Sequence, residues 1–243
     1  MMLRRSLRYC LLVTLPVLLA VCTAARGQGL PSDSLVVIHG MLIDGSGADP
    51  IADGLVAIQG NRIIAVGPAA DFKIPDEVMV IDAAGGTILP GVINSHVHGV
   101  SDAAARRELF LLDGVTSVCD LGTPLSRMGE FEEDETQSGP AARGFKAGPI
   151  ISAPGGYPGS CGNSNVSYEV QGANQAEAAV IELCDRGADF IKIAVEPGFG
   201  VDSWAVMSLD EMRLIVARAH ANDRLVRAHV TMSSSLDMAL QAG

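Results

Sequence analysis

The sequence is poor in aromatic residues and in positive charge, and each shortage narrows the range of functions. Aromatic residues make up 4% of the 243 residues while apolar residues make up 48%, so a buried core depends on aliphatic side chains. The formal net charge of −11 disfavours nucleic acid and anionic membrane surfaces as partners. The chain also lacks a Gly-rich dinucleotide fingerprint and a phosphate-binding loop motif, which argues against a nucleotide-binding fold.

The five cysteines form neither a disulfide framework nor a zinc-finger pattern. Cys10 and Cys22 fall in an N-terminal segment where basic residues precede an apolar run and then small polar residues, the layout of a secretory signal peptide. We expect residues 1–25 to be cleaved and the protein to be exported, periplasmic or secreted. A retained membrane anchor and a lipoprotein are the alternatives. Cys119 lies in an apolar, strand-like run and is predicted to be a core residue.

The hydrophobic pattern changes character near residue 89. Residues 33–88 contain short apolar runs separated by tight-turn signals such as QGNR, a pattern that predicts a small antiparallel β unit. In residues 89–243 short apolar runs alternate with helix-like segments, as in parallel strands joined by right-handed crossovers. The fold class is therefore α/β. The five predicted parallel strands lie at about 92–98, 115–121, 149–153, 189–195 and 225–231.

Five parallel strands fit two architectures, an open doubly wound sheet and the first part of an eight-stranded barrel. The missing nucleotide motifs weaken the first of these. Local signals mark the helices between the strands. Ser208 and Glu211 have the spacing of a capping box, and Gly114 and Gly187 stand where helices should end.

Two histidines end the first of these strands, in the stretch LPGVINSHVHG at residues 89–99. His96 and His98 are two residues apart, so their side chains point to the same face of a strand. Functional sites in α/β folds are built at the carboxyl ends of parallel strands. Two neutral imidazoles on one face suit a metal such as zinc. A hydrogen-bonded pair in a polar corner is the structural alternative.

Lys192 lies within the apolar run DFIKIAV on the fourth predicted strand. Buried lysines are rare unless they are paired or functional, and a dry site favours the neutral amine. A neutral amine can add carbon dioxide and become a carbamate, an anionic ligand able to bridge two metals. The alternatives are an ion-paired lysine and a Schiff-base nucleophile, which would allow borohydride trapping without a metal. His229, near the end of the fifth strand, is a third candidate ligand or a satisfied core histidine.

These motifs resemble the metal-binding signature of the amidohydrolase superfamily. The stretches GVTSVCDLG, ADFIKIAVEPG, SLDEMRLIVARAHAND and LVRAHV are similar to its imidazolonepropionase-like and prolidase-like branch. The resemblance runs from about Ser34 to the end of the chain. It implies a partial (β/α)8 TIM barrel, with about five of the eight strands in residues 89–243, preceded by part of a small β-sandwich in residues 33–88.

The resemblance also implies a ligand set. By motif match, His96 and His98 bind one divalent metal, a carboxylated Lys192 bridges to a second, and His229 binds the latter. Zinc is the expected metal, as one or two ions. Such enzymes carry a further histidine on strand six and a proton-transferring aspartate on strand eight. We expect that aspartate to lie beyond Gly243, so no catalytic residue is assigned within this chain.

Other polar residues receive structural roles. Asn94 stands where the family often has an aspartate that is not a ligand. Asp120 is predicted to be structural, and His39 and His220 to be packing or solvent-exposed residues. Glu196 is interpreted as a charge at the rim of the site, and a position in the wall of the pocket is the alternative.

The expected function is metal-dependent hydrolysis of a carbon–nitrogen bond in a small molecule, which is a non-peptide amide, a cyclic amide or a dipeptide. A lactonase or deaminase using the same site is one alternative, and a non-catalytic remnant that binds metal or a partner is another. Residues 153–170 form a Gly-rich segment that either faces the substrate or simply connects two elements. No nucleic acid and, after signal cleavage, no membrane is expected as a partner, and the oligomeric state is left open.

A barrel with only five strands leaves two open edges with unpaired backbone groups and exposed apolar faces. We therefore interpret the chain as a fragment of a longer protein and expect it, in isolation, to aggregate or stay inactive. Size-exclusion chromatography with metal analysis measures this. A soluble, cooperatively folded and metal-loaded monomer would contradict the expectation.

Overall fold

The computed structural model describes residues 27–100, 104–129, 140–200 and 203–243. They divide into two compact units, with the boundary between Pro90 and Gly91. The predicted signal peptide, residues 1–25, lies outside the described residues. Among the residues that are described, no helix has the length and apolar character needed to cross a membrane.

The described secondary structure comprises fourteen β-strands and four α-helices. The strands are β1 Gln28–Gly29, β2 Leu35–Leu42, β3 Ile51–Gln59, β4 Arg62–Pro68, β5 Phe72–Lys73, β6 Met79–Asp82, β7 Thr87–Ile88, β8 Val92–Val97, β9 Val115–Asp120, β10 Arg143–Lys146, β11 Ile150–Ser152, β12 Ser167–Glu169, β13 Ile191–Ala194 and β14 Val226–His229. The helices are α1 Ala104–Leu112, α2 Ala173–Asp185, α3 Leu209–Ala221 and α4 Ser233–Ala242.

The first unit is a mixed β-sheet rather than the antiparallel sheet expected from the sequence. Strands β2, β3 and β4 are antiparallel neighbours, with QGNR at the turn between β3 and β4. Strands β6 and β7 instead pair in parallel with β2. The chain reaches the free edge of β2 by a crossover after β4, and a pattern of apolar residues does not report strand direction. The core of this sheet is aliphatic, built around Val36, Ile38, Leu55, Ala57 and Val78.

The second unit contains the parallel strands predicted for it. Strand β8 pairs with β9, β9 with β10, β11 with β13, and β13 with β14, all in parallel. This confirms the α/β class and a partial barrel. The described strands do not close into a barrel. They form two separate sheets, with the orders β10-β9-β8 and β12-β11-β13-β14.

Two short strands in this unit were missed by the sequence analysis. Strand β10 pairs with β9 and is followed, after residues 147–149, by β11, which pairs with β13. The third predicted strand, at about 149–153, is β11, and β10 is an additional strand before it. The segment RGFK of β10 carries two charges in four residues, so it shows no apolar run. Strand β12 pairs with β11 in parallel, whereas the sequence predicts a loop for its residues.

The helices cover one face of the strands β11, β13 and β14. Helix α2 presents Ala176, Ala179, Val180 and Leu183 to the core, and α3 presents Met212, Ile215, Val216 and Ala219. The i, i+3, i+4, i+7 spacing explains why these residues share one face. Gly114 and Gly187 follow the ends of α1 and α2 with φ of +80° and +78°, the left-handed conformation that a helix C-terminus favours and glycine adopts without strain.

The predicted capping box is present at the start of α3. The backbone N–H of Glu211 donates to Ser208 Oγ at 3.3 Å, and the N–H of Ser208 donates to Glu211 Oε2 at 2.8 Å. The other carboxylate oxygen of Glu211 accepts the N–H of Gly172, the N-cap of α2, at 2.6 Å. The Glu211 carboxylate therefore ties together the starts of the two helices that cover the core.

Substitution Ser208→Ala removes the side-chain cap and should lower the free energy of unfolding by about 1 kcal/mol. Chemical denaturation of the full-length protein measures the loss. Ser234→Ala is the control, because Ser234 is an exposed serine in the first turn of α4, whose N-cap Met232 makes no side-chain cap bond. If the two variants were equally stable, the proposed contribution of the Ser208 cap to stability would be wrong.

Candidate metal centre

The two histidines of the HxH motif converge at the end of β8. His96 Nε2 and His98 Nε2 are 3.2 Å apart, with the rings edge-to-face at a centroid distance of 5.1 Å. The side chain of Asn94 accepts the backbone N–H of His96 at 3.2 Å, which turns the chain locally. Two nitrogens that each lie roughly 2.0–2.1 Å from a tetrahedral zinc ion are about 3.3 Å apart. The pair therefore has the separation of two ligands of one metal.

Lys192 is buried on β13, with 3% of its surface exposed. Burial and then the charge of Arg227 lower its pKa to about 8. Arg227 is the register partner of Lys192 on β14, and it donates to the carbonyl oxygen of Ser95 at 2.7 Å. The guanidinium thus reaches from β14 to β8, beside the histidine pair, and disfavours a second positive charge on Lys192.

His229 lies at the carboxyl end of β14, and its side chain is 22% exposed. Burial and then the charge of Lys192 lower the pKa of its imidazole. The same two causes, in the same order, lower the pKa of His96, whose ring is partly buried although the residue keeps solvent contact. The charge of His98 acts on both rings. The structure therefore brings all four candidate residues into one electrostatically coupled cluster.

The side chains of these four residues offer donor atoms of the kind that bind a divalent cation. The lowered imidazole pKa values favour the neutral form of His96 and His229, which is the form that binds a metal. Within the described residues no three His, Cys, Asp or Glu side chains lie close enough together to hold a metal ion. The site therefore depends on Lys192 supplying a ligand between the histidines, and metal binding itself stays a prediction.

Three comparisons with known proteins bear on this cluster. No protein-family model matches the chain. Over 69 residues it is 42% identical to an imidazolonepropionase of Alkaliphilus metalliredigens, a match covering 27% of this chain and 16% of that protein. Over 213 residues it is 27% identical to adenine deaminase 2 of a Bradyrhizobium species, covering 84% of this chain and 33% of that one.

The fold has a counterpart among crystal structures. A prolidase in complex with N-methylphosphonate-L-proline superposes with a TM-score of 0.69 at 26% sequence identity, over 86% of this chain and 59% of that one. In sequence and fold, the chain is similar to proteins of the amidohydrolase superfamily. It spans a third or less of the length of these two curated relatives.

Asp120, His39 and His220 have the roles predicted for them from the sequence. Asp120 is fully buried and accepts the backbone N–H groups of Val100 at 3.0 Å and Gly122 at 3.1 Å, so its role is structural. His39 contacts Asp82 at 3.2 Å, with both side chains exposed. His220 is exposed at the end of α3.

Glu196 was wrongly interpreted as a charge at the rim. Only 1% of its surface is exposed, and its Oε2 lies 3.6 Å from His229 Nε2. The sequence places Glu196 just past the end of β13, where a charge is usually solvated. Its burial comes from contacts distant in sequence, with Thr231 above all, and no local pattern reports them.

An aromatic group beside His229 was also missed. The ring of Tyr157 stacks on the imidazole of His229 at a centroid distance of 4.2 Å and an angle of 17°. Trp204 stacks on Tyr157 at 6.0 Å, and Phe199 meets Trp204 edge-to-face at 4.9 Å. The chain has only one tryptophan and three tyrosines. The presence of Tyr157 and Trp204 in loops after parallel strands was therefore the one sequence signal for this group. It was missed because Tyr157 lies on a different loop from Phe199 and Trp204.

A cavity of about 550 Å³ opens beside His98 and Tyr157. The segment 153–170 lines it with Tyr157, Pro158, Asn163, Asn165 and Val166, and Arg127 and Ile150 complete much of the wall. The Gly-rich segment considered in the sequence analysis thus faces a space large enough for a small molecule.

Gly122 leaves room for the imidazole of His98. A Cβ at this position would lie 2.9 Å from His98 Nδ1, closer than such atoms approach. Gly122→Ala should therefore push the ring away from His96 and weaken zinc binding roughly tenfold, as disturbing the immediate partners of a ligand does. Competition with a chromophoric chelator measures the affinity.

Gly129→Ala is the matched control, because a Cβ at the exposed Gly129 meets nothing within 4 Å. The explanation fails if the two alanine variants bind zinc equally well.

Proposed function

We propose that the full-length protein is a metal-dependent hydrolase that breaks a carbon–nitrogen bond in a small molecule after export from the cell. The observation that carries the proposal is the 3.2 Å approach of His96 Nε2 to His98 Nε2, next to a buried lysine. His96, His98, Lys192 and His229 would hold one or two divalent cations, with zinc expected.

Lys192 supplies what three neutral histidines lack, an anionic ligand. With a pKa of about 8, a substantial fraction of the amine is neutral near physiological pH. The amine nitrogen forms a bond to the carbon of carbon dioxide, one C=O electron pair moves onto oxygen, and a proton leaves to solvent. The resulting carbamate carries one negative charge and two oxygen donors, which suit a site shared between two cations.

A bound divalent cation supplies Lewis acidity for hydrolysis, both for activating water and for polarising the carbon under attack. The protein around it positions the substrate. The cavity beside His98 offers the amides of Asn163 and Asn165 and the guanidinium of Arg127. Polar groups in the wall of such a pocket would orient a ligand. The aromatic ring of Tyr157 forms part of the wall next to His229.

The similar proteins support a carbon–nitrogen bond as the target. Their names are imidazolonepropionase, adenine deaminase and prolidase, and we extend the shared bond type to this protein. Cyclic amides, other non-peptide amides and dipeptides are the proposed substrates. Deamination is the second candidate function, because the match to adenine deaminase 2 covers 84% of this chain.

Metal binding and hydrolysis are tested together on the full-length protein. His96→Ala and His98→Ala should each lower the zinc content and abolish turnover of an Xaa-Pro dipeptide, a cyclic amide or adenine, whichever the wild type cleaves. Elemental analysis and product formation are measured with and without a chelator. His220→Ala is the control, because that histidine is exposed and distant from the cluster in the fold. Full activity after complete metal removal would reject the proposal.

Carboxylation of Lys192 is tested by carbon-13 NMR in labelled bicarbonate. The wild type should show a carbamate signal that Lys192→Arg lacks, because a guanidinium stays protonated and does not add carbon dioxide. Lys146→Arg serves as the control, since Lys146 is another buried lysine, with 4% of its surface exposed. A signal that survives in Lys192→Arg contradicts the assignment. Borohydride trapping of Lys192 by a carbonyl compound would favour Schiff-base chemistry.

A further inference from the structure

Glu196 presents a buried carboxylate to one of the proposed metal ligands. It lies two residues after β13, and its side chain has 0% relative exposure. Its Oε1 accepts the backbone N–H of Gly198 at 3.0 Å, and its Oε2 accepts the hydroxyl of Thr231. The same Oε2 lies 3.6 Å from His229 Nε2. A buried carboxylate needs such donors, because its desolvation is costly.

The position of the Glu196 carboxylate bears on which nitrogen of His229 carries the proton. Nε2 is buried and has no hydrogen-bond partner among the described residues, and the nearby acceptor Glu196 Oε2 faces it. An unprotonated Nε2 would set its lone pair against a negative charge. The tautomer with the proton on Nε2 is therefore favoured, and Nδ1 is left with the free lone pair.

Stacking alone does not make this choice. Tyr157 lies on the imidazole at an angle of 17°, which fixes the plane of the ring. A 180° turn of the ring about its bond to Cβ keeps that plane and exchanges the positions of the two edges. The stack therefore restrains the tilt of His229, while the facing carboxylate distinguishes the two flipped states.

We propose that Glu196 is the positioning residue of His229, accepting its Nε2–H so that Nδ1 binds the metal, and that Thr231 orients the Glu196 carboxylate. Carboxylates commonly hold the second N–H of a metal-binding histidine and raise its affinity for the metal. The inference rests on the proposed function, because it requires His229 to be a ligand.

The test compares zinc affinities of variants by chelator competition. Glu196→Gln should bind zinc roughly 10–100-fold more weakly, the usual loss for such partners. The amide cannot replace the carboxylate, because both Glu196 oxygens already face donors and the NH2 group would oppose one of them. Thr231→Val keeps the carboxylate and should show a smaller loss in the same direction. Glu169→Gln is the control, since Glu169 is exposed and accepts a backbone N–H from Gly155 at 3.2 Å.

A spectroscopic measurement gives a readout that a purely structural role would not move. In zinc-loaded protein labelled with 15N-histidine, long-range proton–nitrogen correlations should show His229 protonated on Nε2 and without a proton on Nδ1. In Glu196→Gln the Nε2 proton should exchange faster with water. A metal-bound, unprotonated Nε2 in the wild type would overturn the inference.

The outcomes separate the two hypotheses. If the wild type binds zinc and Glu196→Gln binds it as tightly as Glu169→Gln, the positioning role is wrong and the proposed function stands. If the wild type binds no zinc, and His96→Ala changes nothing, the proposed function fails and takes this inference with it. Circular dichroism verifies folding, and should Glu196→Gln not fold, the affinity of Thr231→Val decides.

Discussion

The site depends on the burial of a lysine among groups that oppose its protonation. Lys192 is almost completely enclosed, between Ile191 and Ile193 on β13, and Arg227 places a permanent positive charge nearby. An ammonium ion in such surroundings is destabilised relative to the neutral amine. Burial, and then the charge of Lys192, lower the pKa values of the His96 and His229 imidazoles. The cluster therefore collects groups whose neutral forms are favoured, and a divalent cation, as proposed, would bind to their lone pairs.

The parallel strands explain how residues far apart in the chain reach one place. His96 and His229 lie near the carboxyl ends of parallel strands, and Lys192 lies within one. The carboxyl ends of parallel strands face the same end of a barrel. Strand direction and the two-residue period allowed the α/β class and the meeting of the four candidate residues to be predicted from the sequence. Their assignment as metal ligands came from the family resemblance and stays a prediction. The capping box at Ser208 and the buried Cys119 were predictable for a similar reason, since they depend on local spacing and hydrophobicity.

Features that depend on contacts between distant segments could not be predicted. The burial of Glu196 needs Thr231, which is 35 residues away. The space left by Gly122 for His98 is invisible in a sequence where many glycines mark turns. Strands β6 and β7 pair in parallel with β2 because of the path taken by the connecting chain. In each case the residue type was compatible with several environments, and tertiary packing selected one.

Tyr157 contacts both the cavity and His229, one of the four candidate metal ligands. One face of its ring stacks on His229, while the residue also forms part of the cavity wall. A ligand that displaced Tyr157 would free the imidazole to tilt, and a ligand that packed against Tyr157 would hold the imidazole in place. The segment 153–170 can therefore influence the ligand geometry without contributing a ligand itself. Trp204 stacks on Tyr157 and Phe199 meets Trp204 edge-to-face, so the aromatic group is larger than Tyr157 alone. A ligand that packed against these rings would also restrain the imidazole of His229 through Tyr157.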